Sequence, residues 1–123
     1  MSYKITTRYG TPHGFAVALC LPKIWRYMQT HTQLCLDKRG EAHVKQVFED
    51  IAKSLGAQSV EEAIEIFENL LNEWGMYAPK LTSRKEELKI LASSVNAQRL
   101  SNNPIELSEE ALYQIYEQVF KEE

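Results

Sequence analysis

The sequence predicts an all-α protein of five to six helices. Three observations carry that assignment. Apolar residues recur at spacings of three and four along most of the 123-residue chain. Serine starts and glycine stops bracket these runs. No stretch alternates with the period of two that a half-buried strand requires.

Tyr3 and Ile5 come with no cap or polar leader before them, so the chain reads as starting in mid-element. His13 to Met28 is dense in apolar residues. Phe15 to Leu21 reads as a helix buried on nearly all sides, with Pro22 expected to kink or break it before Ile24, Trp25, Tyr27 and Met28 continue. Asp37 to Gly40 reads as a turn. Val44, Phe48, Ile51, Ala52 and Leu55 follow at helical spacing and stop at Gly56. Ser59 with Glu62 forms a capping box ahead of Val60, Ala63, Ile64, Phe67, Leu70, Leu71 and Trp74, a face that ends at Gly75.

Met76 to Leu81, with Pro79 inside it, reads as an irregular connector. Ser83 with Glu86 matches a second capping box, opening a short helix of Leu88, Leu91, Ala92 and Val95 that stops near Asn96. Arg99 to Leu107 is turn-rich. Ser108 then caps a last helix, with Glu109 and Glu110 suited to its dipole and a buried face of Ala111, Leu112, Ile115, Tyr116, Val119 and Phe120.

Composition narrows the function classes. The chain has the length of a single helical domain, residues 1–123, able to bury a core. A net charge of −3 with no basic stripe argues against a general nucleic-acid binder. Phe15 to Leu21 is too short to span a bilayer, so no membrane association is expected and a cytoplasmic location is. Cys20 and Cys35, both beside leucines, read as reduced structural thiols. No G-x-S-x-G, P-loop or G-x-G-x-x-G occurs, so this chain alone is not expected to bind NAD.

Among the histidines, His43 reads as a solvated surface residue and His31 as loop. The carboxylates read as solvated faces opposite the apolar stripes. His13 differs, because Gly10-Thr11-Pro12 and Gly14 shape the backbone on both sides of it. A helix N-terminus disfavours imidazolium and leaves a lone pair free to donate. Two readings follow: a cap packed against its turn, or one donor of a metal site.

Two separated stretches resemble one family. "YGTPHGFAVALCLPKIWRY" is similar to the P-H-G-x-A-x-A-x-x-L-P segment of the iron-containing (group III) alcohol dehydrogenases, and "LASSVNAQRLSNNPIELSEEALYQIYEQVF" resembles the end of the same family. "SYKITTRYGTPHG" further resembles its phosphonoacetaldehyde reductase branch. The resemblance implies an NAD(P)-binding α/β domain ahead of this helical one. It also implies a divalent metal, iron or zinc, held between the two by one aspartate and three histidines. Of these four, His13 is the one that matches the P-H-G motif here. In the family, hydride passes between nicotinamide and an alcohol or aldehyde carbon, with the metal acting on the substrate oxygen. The resemblance also places the loop of Arg99, Asn102 and Asn103 near the cleft, where an arginine suits an anionic substrate group such as a phosphonate. On this reading the chain alone is inactive and holds no cofactor, and a homo-oligomer is expected to cover the face left without its domain. The alternative is a non-enzymatic helical module that self-associates or binds a partner.

Overall fold

The computed structural model describes residues 1–95 and 100–120. Among them are six α-helices: α1 (Ser2–Tyr9), α2 (His13–Thr30), α3 (Glu41–Ser54), α4 (Val60–Glu73), α5 (Arg84–Ser93) and α6 (Glu109–Val119), with a 3-10 turn at Thr32–Leu34. Helix α2 is the spine. It packs against α1, α4 and α6, while α5 lies on α6 and α3 on α4.

The core has two parts, and α2 runs through both. Ala16, Leu19 and Cys20 join Ile5, Leu88, Leu91, Leu112, Ile115 and Tyr116 in the first. Trp25 joins Val44, Phe48, Ala52, Val60, Ala63 and Ile64 in the second, its indole edge-on to Phe48. Pro22 lies between them, fully buried, and the helix does not break there. A proline in a helix interior costs roughly 3 kcal/mol. Apolar burial on both sides of it, within one helix, offsets that cost.

The helix is also less enclosed than its composition suggests. Val17 and Leu21 are 39% and 44% exposed. On α3 the buried stripe is Val44, Phe48 and Ala52, leaving Ile51 and Leu55 outward, and on α4 Trp74 is exposed. All six apolar positions read for α6 are buried.

His31 lies in the link between α2 and the 3-10 turn, as expected of a loop residue, and there it caps α2. Its ring stacks on Tyr27 at 3.9 Å, and its Nδ1–H donates to the Tyr27 carbonyl at 2.8 Å. His43 is half-buried in the first turn of α3, which packs on the 3-10 turn, and so is not a plain solvated residue. Its Nε2 is shielded and has no hydrogen-bond partner among the described residues. Two ion pairs, Lys23 and Arg26 with Glu68, each 2.7 Å, tie α2 to α4. After the 3-10 turn, Cys35 and Ile105 form an isolated antiparallel bridge, flanked by Leu36 N–H to Pro104 O and Glu106 N–H to Leu34 O. This carries the 101–107 loop onto the second core, where Ile105 is buried.

The helix starts divide into two kinds. Ser59 Oγ accepts from Glu62 N–H and Ser108 Oγ accepts from Ala111 N–H, each at 3.1 Å. The reciprocal arm at α4 is shifted, since the Glu62 carboxylate takes the N–H of Gln58. Ser83 makes no side-chain cap at all. Ser59→Ala and Ser108→Ala are therefore each expected to cost about 1 kcal/mol in denaturant melts. Ser83→Ala should stay within about 0.5 kcal/mol.

Candidate functional site

The histidine singled out by the sequence sits on a short, tightly specified turn. Gly10 ends α1 with φ 70°, in the left-handed region that glycine alone enters freely, and its N–H returns to Thr6 O at 3.0 Å. Thr11 is buried. Pro12, at φ −54°, occupies the N-cap of α2, where its missing N–H costs nothing, and its carbonyl accepts from Ala16 N–H at 2.9 Å. His13 is then the first helical residue and is exposed together with Pro12 and Gly14. Space in front of the turn is open, since a side chain added at Gly14 would meet nothing within 4 Å. No hydrogen bond or ion pair engages the His13 ring among the described residues. At spacings of four and eight, Val17 and Leu21 continue the His13 face as an exposed apolar stripe.

The turn is secured from behind by Glu87, a residue the sequence places on a solvated face. Its side chain is buried, 7% exposed as a residue. One carboxylate oxygen accepts from the Tyr9 hydroxyl at 3.0 Å and lies 3.8 Å from Arg8. The other accepts from Ser83 N–H at 2.8 Å and from the Thr82 hydroxyl at 3.4 Å. The expected Ser83–Glu86 capping box is thus replaced by Glu87 reaching back to the start of its own helix. A signal was present: Glu87 lies four residues before Leu91, on the buried stripe of α5. The Ser83 backbone N–H, with Tyr9, Thr82 and Arg8 behind it, holds the Glu87 carboxyl below its ordinary value of 4.5 against the opposing effect of burial. Burial, then the Glu87 contact, pushes the Tyr9 phenol up.

The other residues read as candidates lie elsewhere. Arg99 falls outside the described residues. Asn102 and Asn103 line a groove of about 760 Å³ with Tyr3, Lys4, Ile24 and Leu107, and His13 is not part of its lining. Asn103 Nδ2 donates to Ile105 O at 2.6 Å, so its amide is committed to shaping the loop. At the back of this groove the buried Tyr116 hydroxyl donates to Met1 O at 2.7 Å, and its phenol is raised by burial. Cys20 is buried and its thiol is pushed up to about 11 by that burial, which suits the structural reading. Cys35 is half-buried, its Sγ 3.7 Å from the Asp37 carbonyl.

A divalent transition metal takes about three or four protein donors. Among the described residues no three His, Cys, Asp or Glu side chains converge. Among the described residues there is thus no complete metal site, and His13 stands as a candidate donor.

The family model for the Fe-containing alcohol dehydrogenase family, C-terminal domain, matches residues 1–120. The chain belongs to the Fe-containing alcohol dehydrogenase family. A phosphonoacetaldehyde reductase of Streptomyces viridochromogenes is 29% identical to this C-terminal domain over 113 residues, covering 91% of the chain. The chain spans 28% of that relative's length. No solved structure matches the domain. Its all-helical fold agrees with the family, and no helix among the described residues is long and apolar enough to cross a membrane.

The Glu87 network makes the domain's acid response predictable. A carboxyl held below its ordinary value contributes stability that is complete above pH 4.5 and is lost as pH falls through the lowered folded value. Glu87→Gln should flatten the fall in melting temperature below pH 4.5 while also lowering the melting temperature at neutral pH. An unchanged acid slope would show that the carboxylate is not coupled to folding.

Proposed function

We propose that this domain is the helical half of an NAD(P)-dependent oxidoreductase that interconverts an alcohol and an aldehyde, and that His13 is the donor it contributes to the enzyme's iron or zinc. The observation that carries this reading is the placement of His13. It is exposed at the head of α2, unengaged, and fixed by a Gly-Thr-Pro turn, the arrangement expected of a ligand and not of a packed cap. The remaining donors and the nucleotide site would come from an α/β domain outside this chain. The similarity to a phosphonoacetaldehyde reductase supports an aldehyde substrate with an anionic group, for which Arg99, Asn102 and Asn103 are the candidate contacts. Membership of the Fe-containing alcohol dehydrogenase family supports a small alcohol or aldehyde as the partner.

Purified chain, supplied with iron or zinc, NAD or NADP and an alcohol, should show no reduction of the nucleotide. Steady turnover by homogeneous material would overturn the division of labour between two domains. His13→Ala should change the stability of the chain by no more than about 1 kcal/mol. In the chain joined to a nucleotide-binding domain of the family, it should abolish metal-dependent turnover. A structural cap would do the reverse, destabilising the chain and sparing the joined enzyme.

A second reading, a helical module that associates with itself or a partner, is favoured by the exposed stripe of Val17 and Leu21 beside His13. In either reading that face is covered by protein, and we propose a homo-oligomer for the chain alone. Light scattering should show a mass above 14.2 kDa that falls toward the monomer in a Val17→Lys, Leu21→Lys variant.

A further inference from the structure

We propose that Glu87 and Tyr9 act as positioning residues, clamping the end of α1 so that the turn presenting His13 holds one geometry. This rests on the reading of His13 as a metal donor, but the clamp itself is argued from contacts within this chain.

Helix α1 has eight residues, too few to be rigid on its own. It is held at both ends. At its start Met1 O takes the Tyr116 hydroxyl, and at its end Tyr9 gives its hydroxyl to Glu87. The carboxylate cannot drift toward Tyr9 or away from it. Its other oxygen is tied to the Ser83 N–H, and the next residues of its helix, Leu88 and Leu91, are fully buried in the first core. The Tyr9 ring meets Phe120, with centroids 5.8 Å apart, which fixes the direction from which the hydroxyl arrives.

Only Gly10, Thr11 and Pro12 separate Tyr9 from His13. Each has little freedom left: Gly10 is in its left-handed well with its N–H bonded, Thr11 is buried, and the Pro12 ring locks φ. A displacement of Tyr9 would pass along this link to the first turn of α2, where no side-chain cap stabilises the helix start. Metal geometry tolerates only about half an ångström of error in a donor, so the support matters as much as the donor. A buried carboxylate bonded to the hydroxyl of the tyrosine immediately before the turn supplies that support.

The test uses the whole chain and the variant Tyr9→Phe. It keeps the ring and its contact with Phe120 and removes only the hydroxyl. Amide exchange at Tyr9 and Gly10 should speed up roughly tenfold, the effect of losing one hydrogen bond to a charged group. The backbone order at His13 and Gly14, read by nitrogen relaxation, should fall. Exchange in α4, at Ala63 and Ile64, should not change. Glu87→Ala should reproduce the local loss, and Tyr9→Phe decides the matter if that variant fails to fold. His13 and Gly14 order unchanged in Tyr9→Phe would overturn the clamp. So would a loss shared equally by α4, which would mark a general loss of stability. The underlying reading is tested separately, in the chain joined to a nucleotide-binding domain of the family. If His13→Ala leaves the metal content and metal-dependent turnover of that enzyme unchanged, the donor reading fails, while the relaxation data still judge the clamp.

Discussion

The constraint on which the rest of the domain depends is the continuity of α2. One helix carries the candidate donor at its first residue, crosses the first core with Ala16, Leu19 and Cys20, passes a buried proline, and enters the second core with Trp25. Were it to break at Pro22, the two cores would lose their common element, because Ala16, Leu19 and Cys20 before the proline and Ile24 and Tyr27 after it pack in the first core, while Trp25 anchors the second. The lost backbone hydrogen bond is local, while the burial it permits extends over most of the helices. The ion pairs of Lys23 and Arg26 with Glu68 begin immediately after the proline, which fastens the helix to α4 just where its own hydrogen bonding is weakest.

This spine explains which parts of the fold were legible in the sequence. Features decided within one turn of chain were readable. The serine caps at Ser59 and Ser108, the positive φ of Gly56 and Gly75 at helix ends, and the whole buried face of α6 follow from spacing and side-chain chemistry alone. Features decided by long-range packing were not. The sequence of α3 offers Ile51 and Leu55 on equal terms with Val44 and Phe48, and only the direction of α4 selects the second pair. Of the kink or break expected at Pro22, the break does not occur, for the same reason, since the compensation comes from residues distant in the chain. Ser83 shows the limit from the other side. Its S-x-x-E pattern is intact, yet the neighbouring Glu87 takes the backbone N–H because Tyr9, seventy-eight residues earlier, stabilises the carboxylate in that pose.

The candidate site divides in the same way. The position of His13 was legible because glycine, proline and a helix start are local instructions. What holds the turn was legible only in part: its spacing from Leu91 puts Glu87 on the buried stripe of α5, but its partner Tyr9 comes from the end of α1, distant in the chain. Asn102 and Asn103 are placed by the bridge between Cys35 and Ile105, a contact without periodicity to announce it, and the Asn103 amide is already used to hold that loop. Their groove and the His13 turn are presented by different stretches of the surface. Any substrate role for the asparagines therefore requires a surface contributed from outside this chain to connect the two.

That requirement bears on how such a domain can contribute to a metal site at all. A single imidazole at an open helix start has negligible affinity for iron or zinc, because tight binding comes from several donors converging in fixed geometry. On the reading proposed for His13, what a domain with one donor can supply is precision, and the turn is constrained accordingly. A glycine in its left-handed well, a buried threonine and a proline leave the turn few alternatives, a buried carboxylate fixes the tyrosine before it, and the two-core spine fixes the helix after it. The apolar stripe of Val17 and Leu21 runs from that same point along the same face. A surface that docked on the stripe would arrive in register with the imidazole, so the hydrophobic contact would set the distance and the rigid turn would set the angle.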